Sequence, residues 1–233
     1  VYVVGTDSEL HSAQEKTANY ASDRVKWFHS DELMDELQHE YNIDTVMQHI
    51  EFSKEELSAM GFALTEEAMV SAVKQENLYV VEHFLQIGFS ADTLDSTGVP
   101  VLNIAARQQL HDIMQLLLQS GANVNMIGQD RKTTALMESA VLGDSKGIEI
   151  LLGYGPDTDV QSASGQTALM MAVGEGNTKI ALILLEYGCR IDLVDALGMT
   201  AYKYAKLFNH SALIEKMAQK HPELIAEAEK DSA

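Results

Sequence analysis

The sequence predicts an all-α solenoid of stacked helix-turn-helix units, with short β-turn fingers and helical caps at both ends. Three observations lead there. An apolar anchor recurs at Met69, Leu102, Leu136, Leu169 and Tyr202, with spacings of 33, 34, 33 and 33 residues. An apolar pair follows each anchor at a constant offset: Phe84-Leu85, Leu117-Leu118, Leu151-Leu152, Leu184-Leu185 and Met217-Ala218. A glycine closes four copies, Gly88, Gly121, Gly155 and Gly188, where the fifth has His221. A fixed period of this length marks a repeat architecture, in which one unit cannot bury its own apolar face and must stack on its neighbours.

The elements follow in chain order. Residues 1–61 are expected to form a helical N-terminal cap or extension. Ser12–Glu15 and Ser53–Glu56 read as capping boxes. Leu33, Leu37 and Tyr41, then Val46, Met47 and Ile50, recur at helical spacing, and Asp31, Glu32 and Asp44 suit helix starts. A degenerate unit could be hidden within 30–61. The clear units span about 62–94, 95–127, 128–161, 162–194 and 195–221. In each, a small residue stands three positions past the anchor (Ala72, Ala105, Ser139, Ala172, Ala205), where helices must approach closely. The second helix has apolar spacing of three and four, as in Ile180, Ile183 and Leu184. The closing glycine suits a left-handed helix cap. Residues 222–233 read as a capping helix and tail.

One stretch invites another reading. "VGEGNTKIALILL", residues 173–185, puts glycines and a Thr-Lys pair ahead of an apolar helix, as phosphate-binding loops do. In register, however, Gly176-Asn177 occupies the place of Gly143-Asp144 and Asn209-His210. The stretch is therefore expected to be the turn between two helices of a unit.

The residues Thr134-Ala135-Leu136, Thr167-Ala168-Leu169 and Thr200-Ala201-Tyr202, with "SGANVN" at 120–125, carry a resemblance to the ankyrin repeat family over about 62–221. The proline of that family's T-P-L-H-x-A motif is Ala in these three copies. Its histidine is replaced throughout, by Val70, Asn103, Met137, Met170 and Lys203, which removes the Thr–His hydrogen bonds between turns.

Composition narrows the function classes. The chain has 233 residues and a formal net charge of −19, and residues 1–61 alone hold 13 acids and 4 bases. Such a chain is expected to avoid nucleic acid and anionic membranes and to favour a basic partner. No apolar run reaches the ~20 residues of a membrane span. The single cysteine, Cys189, excludes an internal disulfide and fits a reducing compartment. A chain starting at Val1 is expected to have lost an upstream segment, so cytoplasmic, periplasmic and secreted locations all stay open.

No chemistry-bearing motif emerges. The eight histidines include no H-E-x-x-H pair, and no C-x-x-C or G-x-S-x-G occurs. Catalytic, cofactor-binding and metal-binding residues are therefore expected to be none, and the chain is expected not to be an enzyme. His83 and His111 read as ordinary surface residues, Cys189 as a small core residue, and most of the eleven methionines as core filling. The acidic run within 31–56 reads as a solvated face.

The resemblance implies protein binding on a concave side, built from the turn tips and the C-terminal ends of the first helices. Carried over copy by copy, it gives Thr97, Val99, Arg107 and Gln108; Arg131, Lys132, Thr133 and Leu142; Gln166 and Glu175; and Leu197, Met199, Leu207 and Phe208. Copy one adds Lys74 and Gln75. Leu197, Met199 and Phe208 could form an exposed apolar patch or lie beneath the helix of 222–230. Copy three is irregular: its turn is one residue longer, it lacks the turn glycine, and Gly147 weakens its second helix. Arg131-Lys132 could then be a basic finger reaching into a partner. The expected function is a non-catalytic, monomeric interaction module that binds one protein, with inhibition of that protein as the further expectation. A host-directed effector or scaffold with a second docking site in the N-terminal helices is the alternative. An enzyme sited in those helices is the remote one.

Overall fold

The computed structural model describes residues 2–4, 26–28 and 43–230, with side chains from 46 to 226. The expected features at Ser12–Glu15, Leu33–Tyr41 and 231–233 lie outside these residues. The chain divides into two units, residues 1–55 and 56–233. In the first, strands β1 (Tyr2–Val4) and β2 (Lys26–Phe28) pair in parallel, with Val3 opposite Trp27. Helix α1 runs from Ile43 to Ala59 without a break. Ser53 therefore does not start a helix, contrary to its capping-box reading. It is buried inside α1, because no glycine or proline interrupts the helical run around it.

The second unit is the repeat array. Its inner helices are α2 (Glu66–Lys74), α4 (Val101–Arg107), α6 (Ala135–Leu142), α8 (Ala168–Gly174) and α10 (Ala201–Leu207). Its outer helices are α3 (Leu78–Gln86), α5 (His111–Gln119), α7 (Ser145–Leu152), α9 (Thr178–Tyr187) and α11 (Ser211–Lys220). Each inner helix packs on the next inner helix, and each outer helix on the next outer one. Helix α12 (Pro222–Lys230) packs on α11 and buries Ile225. All five anchors and all five small residues three positions later are buried, so the columns of the sequence are columns of the core. The first residue of each apolar pair is buried without exception.

Five turns join inner to outer helices, and all five place the same residue in the left-handed region: Glu76, Gln109, Gly143, Gly176 and Asn209, with φ between 56° and 74°. Gly176 is thus a helix-to-helix hinge, and the phosphate-loop reading of 173–185 falls away. In the last three turns the next residue, Asp144, Asn177 or His210, ties units together. Asn177 donates its Nδ2 to the carbonyls of Ala140 and Val141 at 2.9 and 3.0 Å, and the His210 Nε2 lies 3.1 Å from the Val173 carbonyl. These are the terminal carbonyls of the preceding inner helices, which have no intrahelical donor.

The lost motif histidine is compensated locally. Thr134, Thr167 and Thr200 still cap their helices, accepting from the amides of Met137, Met170 and Lys203 at 3.2–3.4 Å. Asn103, at a former histidine position, is fully buried and donates to the Thr133 carbonyl of the next unit at 2.8 Å. A ladder on the far side of the units adds further bonds. The Asn123, Asp157 and Arg190 amides donate to Asp92, Asn125 and Asp159, each in the preceding unit.

Candidate protein-binding face

The inner helices and the fingers that precede them form one face. Each finger is a tight turn closed by its own first residue. The Asp95 carboxylate accepts from the Thr97 and Val99 amides, and Asp195 accepts from Leu197 and Met199. Neighbouring fingers are joined by main-chain bonds: Gln129 donates to Gly98, Ala163 to Arg131, and Ala196 to Ser164, at 2.9–3.1 Å. The face is therefore held by the backbone before any side chain is considered.

Between the second and third units the face carries an ion-pair cluster. An Arg107 guanidinium nitrogen (Nη2) lies 2.8 Å from both Glu138 and Asp130. Arg131 reaches the same Glu138 at 2.9 Å, and the Thr133 hydroxyl donates to it at 2.5 Å. Glu138 is buried, so these donors replace its water. Burial pushes the Asp130 carboxyl upward, but the Arg131 amide and the Arg107 guanidinium outweigh it and hold it below the usual carboxylate value. The Arg107 guanidinium is stabilised in turn: burial alone would lower it, and Glu138 and Asp130 raise it.

At the last unit the Tyr204 hydroxyl donates to Asp195 at 2.6 Å and accepts from the Gln166 amide at 3.3 Å. Phe208 stacks parallel to Tyr204, with centroids 6.2 Å apart. Asp195 thus links the finger bearing Leu197 to the helix bearing Tyr204. Burial raises its carboxyl, but the Tyr204 hydroxyl and the finger amides hold it below the ordinary value. The phenol is correspondingly raised, by Asp195 first and then by burial.

The structure sorts the expected contact residues into accessible and engaged groups. Leu197 is 80% exposed and Phe208 47%, so α12 does not cover them. Leu142, Leu207, Gln108, Lys132, Thr97 and Glu175 are also exposed, with Gln166 and Met199 partly so. Two expectations are corrected. Val99 is 2% exposed and Thr133 5%, because both side chains turn inward beneath their fingers. Arg131 is not a projecting finger: its guanidinium folds back onto Glu138 and Asp130, although its stem stays exposed. The longer turn of copy three keeps the finger scheme. Lys132 takes the left-handed place (φ 56°) that Gly98, Gly165 and Gly198 fill elsewhere.

Two histidines also differ from expectation. His83 is buried, with Nδ1 3.0 Å from the Tyr79 carbonyl and its ring tilted at 41° against the Tyr79 ring, centroids 4.2 Å apart. His111 is half-buried and joined to Asp144. Glu138 was not singled out because it occupies an inner-helix column where packing alone would account for the pattern. The acidic character of Glu138 in an otherwise small or apolar column was the available signal. Cys189 is buried, as expected. Among the described residues no helix is long and apolar enough to cross a membrane.

The fold is a solenoid built from stacked helix-turn-helix repeats. A family model for ankyrin repeats, in three copies, matches residues 68–162 and 136–227, and the chain belongs to the ankyrin repeat family. An ankyrin repeat-containing protein of Treponema pallidum (strain Nichols) is 37% identical over 107 residues, covering 46% of this chain and 36% of that protein. The BCL-6 corepressor-like protein 1 of Homo sapiens is 39% identical over 74 residues, covering 31% of this chain and 4% of that protein. The chain thus matches only a minor part of either relative. Ankyrin repeats are generally protein–protein interaction modules and typically non-catalytic.

Proposed function

We propose that this chain acts by holding one protein partner against the face of inner helices and fingers, with binding itself as its activity. The observation that carries this is the apolar group on the last unit. Leu197, Leu207 and Phe208 are exposed on a rigid framework, and Leu197 and Phe208 are tied to it through Asp195 and Tyr204. Large exposed side chains on a fixed support cost little to order on binding, which suits a hot spot. The net charge of −19 favours a basic partner and speeds its approach by electrostatic steering. Occlusion of that partner's surface, and hence inhibition, is the mode of action such a rigid face supports.

The test is affinity capture with the whole chain and with a Leu197→Asp, Phe208→Asp variant whose thermal unfolding matches the parent. A protein retained by the parent and lost by the variant supports the reading. An unchanged set of captured proteins sinks it.

A further inference from the structure

A groove of about 490 Å³ opens on the same face between the third and fourth units. It exists because one column has a gap. At the fifth position past the anchor the other units carry Lys74, Arg107, Val141 and Leu207; the fourth carries Gly174. A Cβ placed on Gly174 would meet nothing within 4 Å, so the space beside it is open. The apolar part of the floor is partly exposed Met171 and Val141, with Met170 fully buried beneath them. The walls are charged: Asp130 and Glu138 with Arg131 on one side, and exposed Glu175 on the other.

We infer that this groove is a socket for a lysine or arginine side chain of the protein partner. An unbranched polarizable floor suits a methylene stem, and methionine adapts to its shape. The charge selects the head group. Three carboxylates line or edge the groove against the guanidiniums of Arg131 and neighbouring Arg107, and both guanidiniums are already spent on Asp130 and Glu138. Glu175 is the carboxylate left to face an incoming cation. The C-terminal end of α8, where Gly174 and Glu175 sit, favours positive charge in addition. An acidic side chain would meet net negative charge, and a purely apolar one would leave Glu175 partly desolvated without a partner.

This socket rests on the protein-binding reading above and names the chemistry of the contact. The test separates the two. A random peptide display library is panned against the whole chain, and the best peptide is titrated by fluorescence anisotropy against the parent, Gly174→Leu and Glu175→Lys. The first variant puts a side chain into the gap, where its Cβ meets no neighbour within 4 Å, and the second reverses the facing charge. The expected result is enrichment of peptides with Lys or Arg beside an apolar residue, and a loss of affinity of about tenfold or more in each variant. Replacing the peptide's cation by norleucine should cost a similar factor. Equal affinity for parent and both variants overturns the socket but leaves the face a binding surface. Enrichment of acidic peptides, or of none, also overturns it, and the capture experiment with Leu197 and Phe208 still stands on its own.

Discussion

The Nε2 of His111 lies 2.8 Å from both carboxylate oxygens of Asp144, one repeat further along the chain. A carboxylate can only accept, so Nε2 carries the shared proton. The same carboxylate caps α7 by accepting from the Gly147 amide at 3.0 Å. One buried group thus closes a helix and joins two units. Asn177 and His210 do comparable work at the later junctions by bonding to carbonyls, which an aspartate cannot do.

This arrangement gives Gly147 a reason. A Cβ there would stand 2.2 Å from the Asp144 Oδ2 and 2.9 Å from the Ser139 hydroxyl. Helix propensity favours Ala over Gly by about 1 kcal/mol, yet Gly147→Ala should destabilise the fold by about 1–3 kcal/mol through that clash. Asp144→Ala should cost about 2–3 kcal/mol, from the lost cap and the lost bond to His111. In the Asp144→Ala background the alanine at 147 should become neutral or stabilising. Denaturant unfolding of the four proteins measures the coupling, and additive effects would refute the explanation.

Four turns hold non-glycine residues where φ is positive: Glu76, Gln109, Lys132 and Asn209. Left-handed backbone costs an L-residue about 1 kcal/mol, so Gln109→Gly and Lys132→Gly should each stabilise by up to about that amount. Thermal melts showing lower midpoints for both would contradict the assignment.

Removing Glu138 should be costly, because Arg107 and Arg131 both lean on it. Glu138→Ala leaves Arg107 half-buried with one carboxylate, and a loss of about 3 kcal/mol is expected. Arg131→Ala should cost less than 1 kcal/mol, since that side chain is more than half exposed. Urea titration ranks the two, and an equal effect would show that burial does not set the difference.

Stability should fall on the acid side. Asp130 and Asp195 have folded values held below the ordinary carboxylate range. A lowered folded value means that stability is fully present above the unfolded value, about 3.9, and is lost as pH falls through the folded one. The melting temperature should drop as pH is taken below about 4, and the drop should be shallower for Asp195→Asn. A slope unchanged in that variant would remove Asp195 from the account.

Burial, joined by the charge of Asp159, pushes the Cys189 thiol up to about 11. It should stay protonated at pH 8 and react with a thiol reagent only after unfolding. Rapid modification of the native chain would show that its pocket opens.

Much of this was readable from the residues. The anchors, the small column and the left-handed turn follow from backbone preference and from which positions can lose water, and both repeat with the period. Gly176 could be moved from a nucleotide loop to a hinge by register alone. The polar residues were harder. His83 and His111 read as surface because each stands on an outer helix beside polar neighbours, yet Tyr79 and Asp144 draw them in. Arg131 read as a free finger because its partner Glu138 sits seven residues on, in a column otherwise assigned to packing.

The sequence by itself determined the repeat, the fold and the buried columns, because these depend on local conformation and on apolar spacing. Only the tertiary structure decided which charges on the binding face are available. Stacking at a period of 33 or 34 residues brings Arg107 to Glu138 and His111 to Asp144. Whether such neighbours pair, or are left facing outward like Glu175, depends on side-chain reach and burial across the junction, which no single unit contains.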